Sequence, residues 1–78
     1  MIVTIVKVEG RHGYEYYVDH PTRRLTIYLG ATERQAAEEF RRLFGYRVSG
    51  ISEGLLVDVP DVTAERVFYE FGLAPVDF

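Results

Sequence analysis

Residues 24–45 read RLTIYLGATERQAAEEFRRLFG, and this stretch contains a change of hydrophobic period that decides the fold class. Up to Gly30, apolar residues recur at every second position, which is the period of a half-buried β-strand. From Thr32 onward, they recur at steps of three and four, which is the period of an amphipathic helix. The apolar positions of this helix are Ala36, Phe40, Leu43 and Phe44. The stretch therefore predicts a strand over residues 24–29 that leads into a helix.

The predicted helix has start and stop signals of its own. Thr32 and Gln35 form a capping box, in which the threonine hydroxyl accepts from the amide three residues on and the glutamine reaches back to the threonine amide. Gly45 is a natural left-handed stop. We therefore expect the first helix to begin at Thr32 and to end at Gly45. Its solvated face is expected to carry Arg34, Glu38, Arg41 and Arg42.

Two further strands are predicted before this stretch. Residues 2–9 are almost entirely β-branched, and residues 10–13 (GRHG) supply two glycines for a hairpin turn. Residues 14–19 alternate in polarity before Pro21 breaks the pattern. Together with the strand over residues 24–29, these two strands predict a three-stranded antiparallel meander. Because its first strand is apolar on both faces, we expect that strand to be central in the sheet or covered by a second copy of the chain.

The second half of the chain is predicted to repeat a hairpin and a helix. Residues 46–51 and 55–59 are two apolar runs on either side of the turn residues 52–54, and Pro60 ends the second run. These features predict a second hairpin and raise the expected number of strands to about five.

A second helix is predicted after Pro60, with Asp61 or Thr63 as its cap and Gly72 as its stop. Its expected apolar stripe consists of Val62, Val67, Phe68 and Phe71. The element order is then β-β-β-α-β-β-α. We predict a single α+β domain over residues 1–78, with a mainly antiparallel sheet and both helices packed on one face.

The composition limits the class of protein. The 78 residues are 47% hydrophobic and 27% charged, as in a globular chain that folds without a partner. With no cysteine, the chain has no disulfide or thiolate chemistry, which favours a cytoplasmic location. No run approaches the ~18 apolar residues of a membrane span, so no membrane contact is expected. The net charge of −3 argues against general binding to phosphate backbones.

No constellation of residues predicts catalysis, a cofactor or a metal. His12 and His20 lie at opposite ends of a predicted strand, roughly 25 Å apart at ~3.3 Å per residue, and so cannot hold one ion. Both are expected to be solvent-facing turn residues. Ser49 and Ser52 lie outside any nucleophile-elbow context. We therefore expect a protein that is not an enzyme.

Six tyrosines are the most unusual feature of the composition. When the aliphatic residues of the third strand face the helices, Tyr28 faces away from them. The candidate protein interface consists of Glu15, Tyr17, Arg24, Thr26 and Tyr28. The Glu15 carboxylate of this surface favours a protein ligand over a nucleic acid, because a carboxylate repels phosphate. In the alternative interpretation, Tyr14 and Tyr16 belong to the core, while Tyr17 and Tyr28 only stabilise the sheet by cross-strand pairing.

Two functions are compatible with these features. The first is a small non-enzymatic protein-binding module, such as a phage or mobile-element regulator or inhibitor, including anti-defence proteins. Its partner would be another protein, with a homodimer as one form. The second is a nucleic-acid-binding module that uses a patch of Arg23, Arg24, Tyr17 and Tyr28. Small size, acidity and the lack of catalytic groups favour the first.

Overall fold

The computed structural model describes residues 1–51 and 53–72 of the chain. Its elements are β1 (Ile2–Gly10), β2 (Gly13–Asp19), β3 (Thr26–Gly30), α1 (Glu33–Phe44), β4 (Leu55–Asp58) and α2 (Asp61–Phe71). The strands form one antiparallel sheet in the order β3-β2-β1-β4. The predicted α+β class, with an antiparallel sheet and two helices, is confirmed.

Strand β1 is central, which is one of the two arrangements that its apolar composition predicts. It pairs with β2 from Thr4 opposite Asp19 to Gly10 opposite Gly13. On its other side, β4 pairs only with residues 2–5. Half of β1 therefore has a neighbouring strand on one side only in the part of the chain that the structure describes.

The strand predicted at residues 46–51 is not formed. These residues have no regular secondary structure, although Ile51 is buried in the core. Gly50 has a φ of 69°, a left-handed conformation that interrupts an extended chain. The sheet therefore has four described strands. The predicted hairpin turn at residues 52–54 includes Ser52, which lies outside the described residues.

Both helices pack against the same face of the sheet. The rings of Phe40 and Phe44 on α1 are stacked with centroids 4.5 Å apart, and Phe68 on α2 meets Phe44 edge-on at 5.9 Å. Below these rings lie Val3 and Val18 of the sheet, both fully buried. One aromatic cluster thus joins the two helices to the two central strands.

The two helices begin in different ways. The Thr32 hydroxyl accepts from the Gln35 amide at 3.1 Å, which confirms the predicted cap of α1. The Gln35 side chain accepts from the amide of Ala31 rather than from that of Thr32. In α2 the residue at the cap position is Pro60, which makes no side-chain cap hydrogen bond. The prediction that Asp61 or Thr63 caps this helix was wrong.

The buried stripe of α2 is shifted relative to the prediction. Val67 and Phe68 are buried as expected, but Val62 is 82% exposed and Phe71 is also exposed. Ala64 occupies the first buried position, which gives spacings of three and four residues with the other two. Helix α2 is therefore anchored by a short stripe.

Candidate functional site

The sheet face opposite the helices is uncovered by any described element. Side chains alternate along each strand, so the even-numbered residues of β1 and the odd-numbered residues of β2 point to this side. Its apolar residues, which we call the outer sheet face, are Ile2, Val6, Val8, Tyr17, Tyr28 and Leu56. Tyr28 is 53% exposed and Leu56 68% exposed. Exposed apolar residues on one continuous face are typical of an interaction surface.

Tyr17 and Tyr28 form the aromatic centre of the outer sheet face. They lie directly opposite each other on β2 and β3, with ring centroids 5.4 Å apart in an edge-to-face arrangement. The Tyr17 hydroxyl donates to Glu15 Oε2 at 2.9 Å, and this hydrogen bond is the main reason that the pKa of Tyr17 is raised. Tyr17 is therefore held in place and half-buried, while Tyr28 is exposed to solvent.

Carboxylates border the outer sheet face. Asp19 accepts from the Thr26 hydroxyl at 2.7 Å, and Asp58 lies 3.4 Å from the N-terminal nitrogen of Met1. Lys7, the one lysine or arginine within the four described strands, alternates onto the opposite side of the sheet. The charged side chains that the four strands place at this border are therefore all acidic.

The structure brings most of the predicted interface together. Glu15, Tyr17, Thr26 and Tyr28 all lie on the outer side of the sheet, and Arg24 lies exposed just before β3. The predicted nucleic-acid patch is divided instead. Arg23 Nη1 lies 3.6 Å from Glu65 Oε2 on α2, away from the two tyrosine rings.

Tyr14 and Tyr16, the other two tyrosines of β2, differ in burial. Tyr16 is buried in the core, as the alternative interpretation predicts. Tyr14 is exposed, and its ring lies under Lys7 Nζ at 3.8 Å. The prediction that Tyr14 belongs to the core was therefore wrong, because β2 extends beyond the helices at this end.

His20 is buried, and the prediction of a solvent-facing turn residue was wrong. The residue is 7% exposed, and its ring meets Phe68 edge-on with centroids 5.0 Å apart. The signal for this burial is the alternation of β2. His20 continues the inward positions of Tyr16 and Val18 by one further step of two residues.

The hydrogen bonds of His20 define its role. Its Nδ1 accepts from the amides of Thr22 at 3.1 Å and Arg23 at 3.0 Å. Because Nδ1 is an acceptor, the ring proton lies on Nε2, which is 3.6 Å from Glu65 Oε1. Ligation of a metal through Nε2 would require the other tautomer and would break both amide bonds. His20 therefore caps the turn between β2 and β3.

Replacing His20 should separate its capping role from its packing role. We expect His20→Ala to lower the free energy of unfolding by about 2–3 kcal/mol, since two amides lose their acceptor and Phe68 loses a ring contact. His20→Asn should recover about half of this loss, because the asparagine Oδ1 takes the position of the histidine Nδ1 and can accept from the same amides. Urea unfolding measures the stability of both variants, and His12→Ala, at an exposed position, is the control. An equal loss in the alanine and asparagine variants would contradict the capping role.

Among residues 1–51 and 53–72, no group of three or more His, Asp or Glu side chains is placed to hold a metal ion. Neither described helix is long and apolar enough to cross a membrane. Comparisons with known protein families, with curated proteins and with solved structures find no match for this chain.

Proposed function

We propose that this protein is a non-enzymatic binding module that docks onto another protein through its outer sheet face. The observation that carries this proposal is the exposure of Tyr28 and Leu56 on a sheet face that no described element covers. A surface that served only solubility would carry lysine or glutamate at such positions. Tyr28 is a suitable anchor, because a tyrosine supplies a large contact area with few rotatable bonds.

The acidic border indicates the chemistry of the partner. Glu15, Asp19 and Asp58 flank the apolar centre, so the complementary surface has an apolar centre surrounded by lysine and arginine. The same carboxylates repel phosphate, and Arg23 is paired with Glu65, which disfavours a nucleic-acid ligand. A small regulator or inhibitor of the kind that phages and mobile elements carry, including anti-defence proteins, would act by covering such a surface on its target.

Selection from a display library of random peptides tests this function. We expect the wild-type protein to enrich peptides that combine apolar residues with lysine or arginine. Tyr28→Ala should weaken their binding by about tenfold, the effect of a moderate interface contact. Tyr69→Ala is the matched control, because Tyr69 is 91% exposed on α2 and should leave binding unchanged.

Two results would contradict the proposal. One is peptide binding that both tyrosine variants retain or lose equally. The other is tight, salt-dependent binding of mixed single- and double-stranded oligonucleotides that Arg24→Ala removes, which would support the nucleic-acid function instead.

A further inference from the structure

Half of β1 has an open backbone edge. Strand β4 pairs with residues 2–5 only, whereas β1 continues to Gly10. Strand β4 cannot extend further along β1, because Gly54 directly before it has a φ of 101° and interrupts the extended chain. Beyond Ile5, therefore, no strand of the described chain occupies this side of β1.

The hydrogen-bonding pattern shows which groups point to this edge. Met1 and Val59 each donate to the other's carbonyl at 2.8 Å, so they form a hydrogen-bonded pair. Because these pairs alternate along an antiparallel ladder, the odd-numbered residues of β1 direct their N–H and C=O groups toward β4. The backbone groups of Lys7 and Glu9 consequently point out from the sheet.

The described residues leave space beside the start of this edge. A groove of ≈ 360 Å³ lies at the end of β4 and extends along β1 as far as Lys7. Val6 and Val8, which flank Lys7, are β-branched residues of the outer sheet face. An exposed edge of this kind is a template for pairing with another chain.

We propose that a second copy of this chain pairs with this edge, β1 against β1 in antiparallel orientation, with Val8 opposite Val8 of the second copy. Lys7 then lies opposite Glu9 of the second copy, and Glu9 lies opposite Lys7 of the second copy. In each of these pairs the outward-pointing backbone groups exchange both hydrogen bonds. The residues 6–10 (VKVEG) thus carry opposite charges at positions that become partners under two-fold symmetry.

Charge selects this register over its neighbours. Outward-pointing residues can pair only with one another, so the register moves in steps of two residues. A step in one direction places Lys7 opposite Lys7 and Glu9 opposite Ile5, whose edge β4 already occupies. A step in the other direction places Glu9 opposite Glu9 and Lys7 opposite Arg11. Like charges directly opposite each other are unfavourable, and of these three registers only the one centred on Val8 avoids them.

The paired copies form a continuous sheet in which the two outer sheet faces lie side by side and uncovered. The dimer is thus independent of the proposed binding function and compatible with it. Its interface is a short strand pair, which we expect to bury less than the roughly 1,200 Å² at the lower end of the range for stable interfaces. We therefore expect a weak dimer whose fraction rises with protein concentration.

Charge reversal combined with sedimentation velocity tests the register. We expect the wild-type chain to sediment as a concentration-dependent dimer. Lys7→Glu and Glu9→Lys should each weaken the homodimer by about tenfold or more, because each places like charges opposite one another. An equimolar mixture of the two variants should restore association, because every pair in the heterodimer is then opposite in charge. The double variant Lys7→Glu/Glu9→Lys should associate like the wild type.

Several controls make the outcome decisive. Arg66→Glu changes the net charge as Lys7→Glu does, but at an exposed position on α2, and should leave the dimer unchanged. Circular dichroism checks that Lys7→Glu, which loses the Lys7–Tyr14 contact, still folds. Tyr28→Ala should also leave the dimer intact, which separates this test from that of the binding function.

A wild-type chain that stays monomeric at all concentrations would overturn the proposal. So would single variants that dimerise like the wild type, or a mixture that fails to restore association.

Discussion

Phe40→Ala is expected to lower the free energy of unfolding by about 3–5 kcal/mol. Phe40 is fully buried at the centre of α1, and its ring is stacked on Phe44 with centroids 4.5 Å apart. Removing the ring leaves a cavity between the helix and the sheet, which close-packed neighbours fill only in part. Small domains have a total stability of roughly 5–15 kcal/mol, so the variant loses much of it.

Urea unfolding measures this loss of stability. If the variant does not fold, near-UV circular dichroism is used instead to record the loss of tertiary structure. Phe40→Leu is the graded control, since it removes less volume and should cost less than the alanine variant. Tyr69→Ala, at an exposed position, should change stability by less than about 0.5 kcal/mol. A wild-type midpoint for Phe40→Ala would mean that the buried side of α1 has been assigned to the wrong residues.

Phe68→Ala is expected to lower the free energy of unfolding by the same amount, about 3–5 kcal/mol. The loss of local stability, however, should be distributed differently along the chain. Phe68 is the largest buried residue of α2 and contacts the rings of both His20 and Phe44. Its buried companions are only Ala64 and Val67, and the helix has no side-chain cap at its start. Without Phe68, little remains to hold α2 on the core.

Hydrogen exchange distinguishes the two phenylalanine variants. In Phe68→Ala, amide protection should fall first in α2, while β1 and β2 retain theirs until global unfolding. In Phe40→Ala, the loss should extend to the whole domain, because α1 contacts β2, β3 and α2. A uniform loss of protection in Phe68→Ala would show that α2 does not open as a separate unit.

The sequence predicted much of the candidate site, because side-chain alternation is a local property. Once Leu29 and Ile27 are assigned to the core, the pleat places Tyr28 on the other side, and the structure agrees. The same rule places His20 inside, whereas Pro21 directly after it predicts an exposed turn. A turn signal describes the path of the backbone and says nothing about the side chain before it.

The second half of the chain was harder to predict, because tertiary contacts override local patterns there. Residues 46–51 have a strand-like composition, yet only Ile51 is buried, and the left-handed φ of Gly50 interrupts an extended chain. Likewise, Phe71 has the right spacing for the stripe of α2, at three residues from Phe68 and four from Val67, but it is exposed. Packing against α1 and β3 determines which side is buried.

By itself, the sequence determined the α+β class, the limits of α1 and the side on which Tyr28 lies. Each of these follows from short-range sterics, capping chemistry or the apolar period, all of which act between near neighbours. Only the tertiary structure decided that β4 stops opposite Ile5 and that Arg23 and His20 lie beside Glu65. These features join residues far apart in the chain, and local patterns do not specify which distant residues meet once the core is packed.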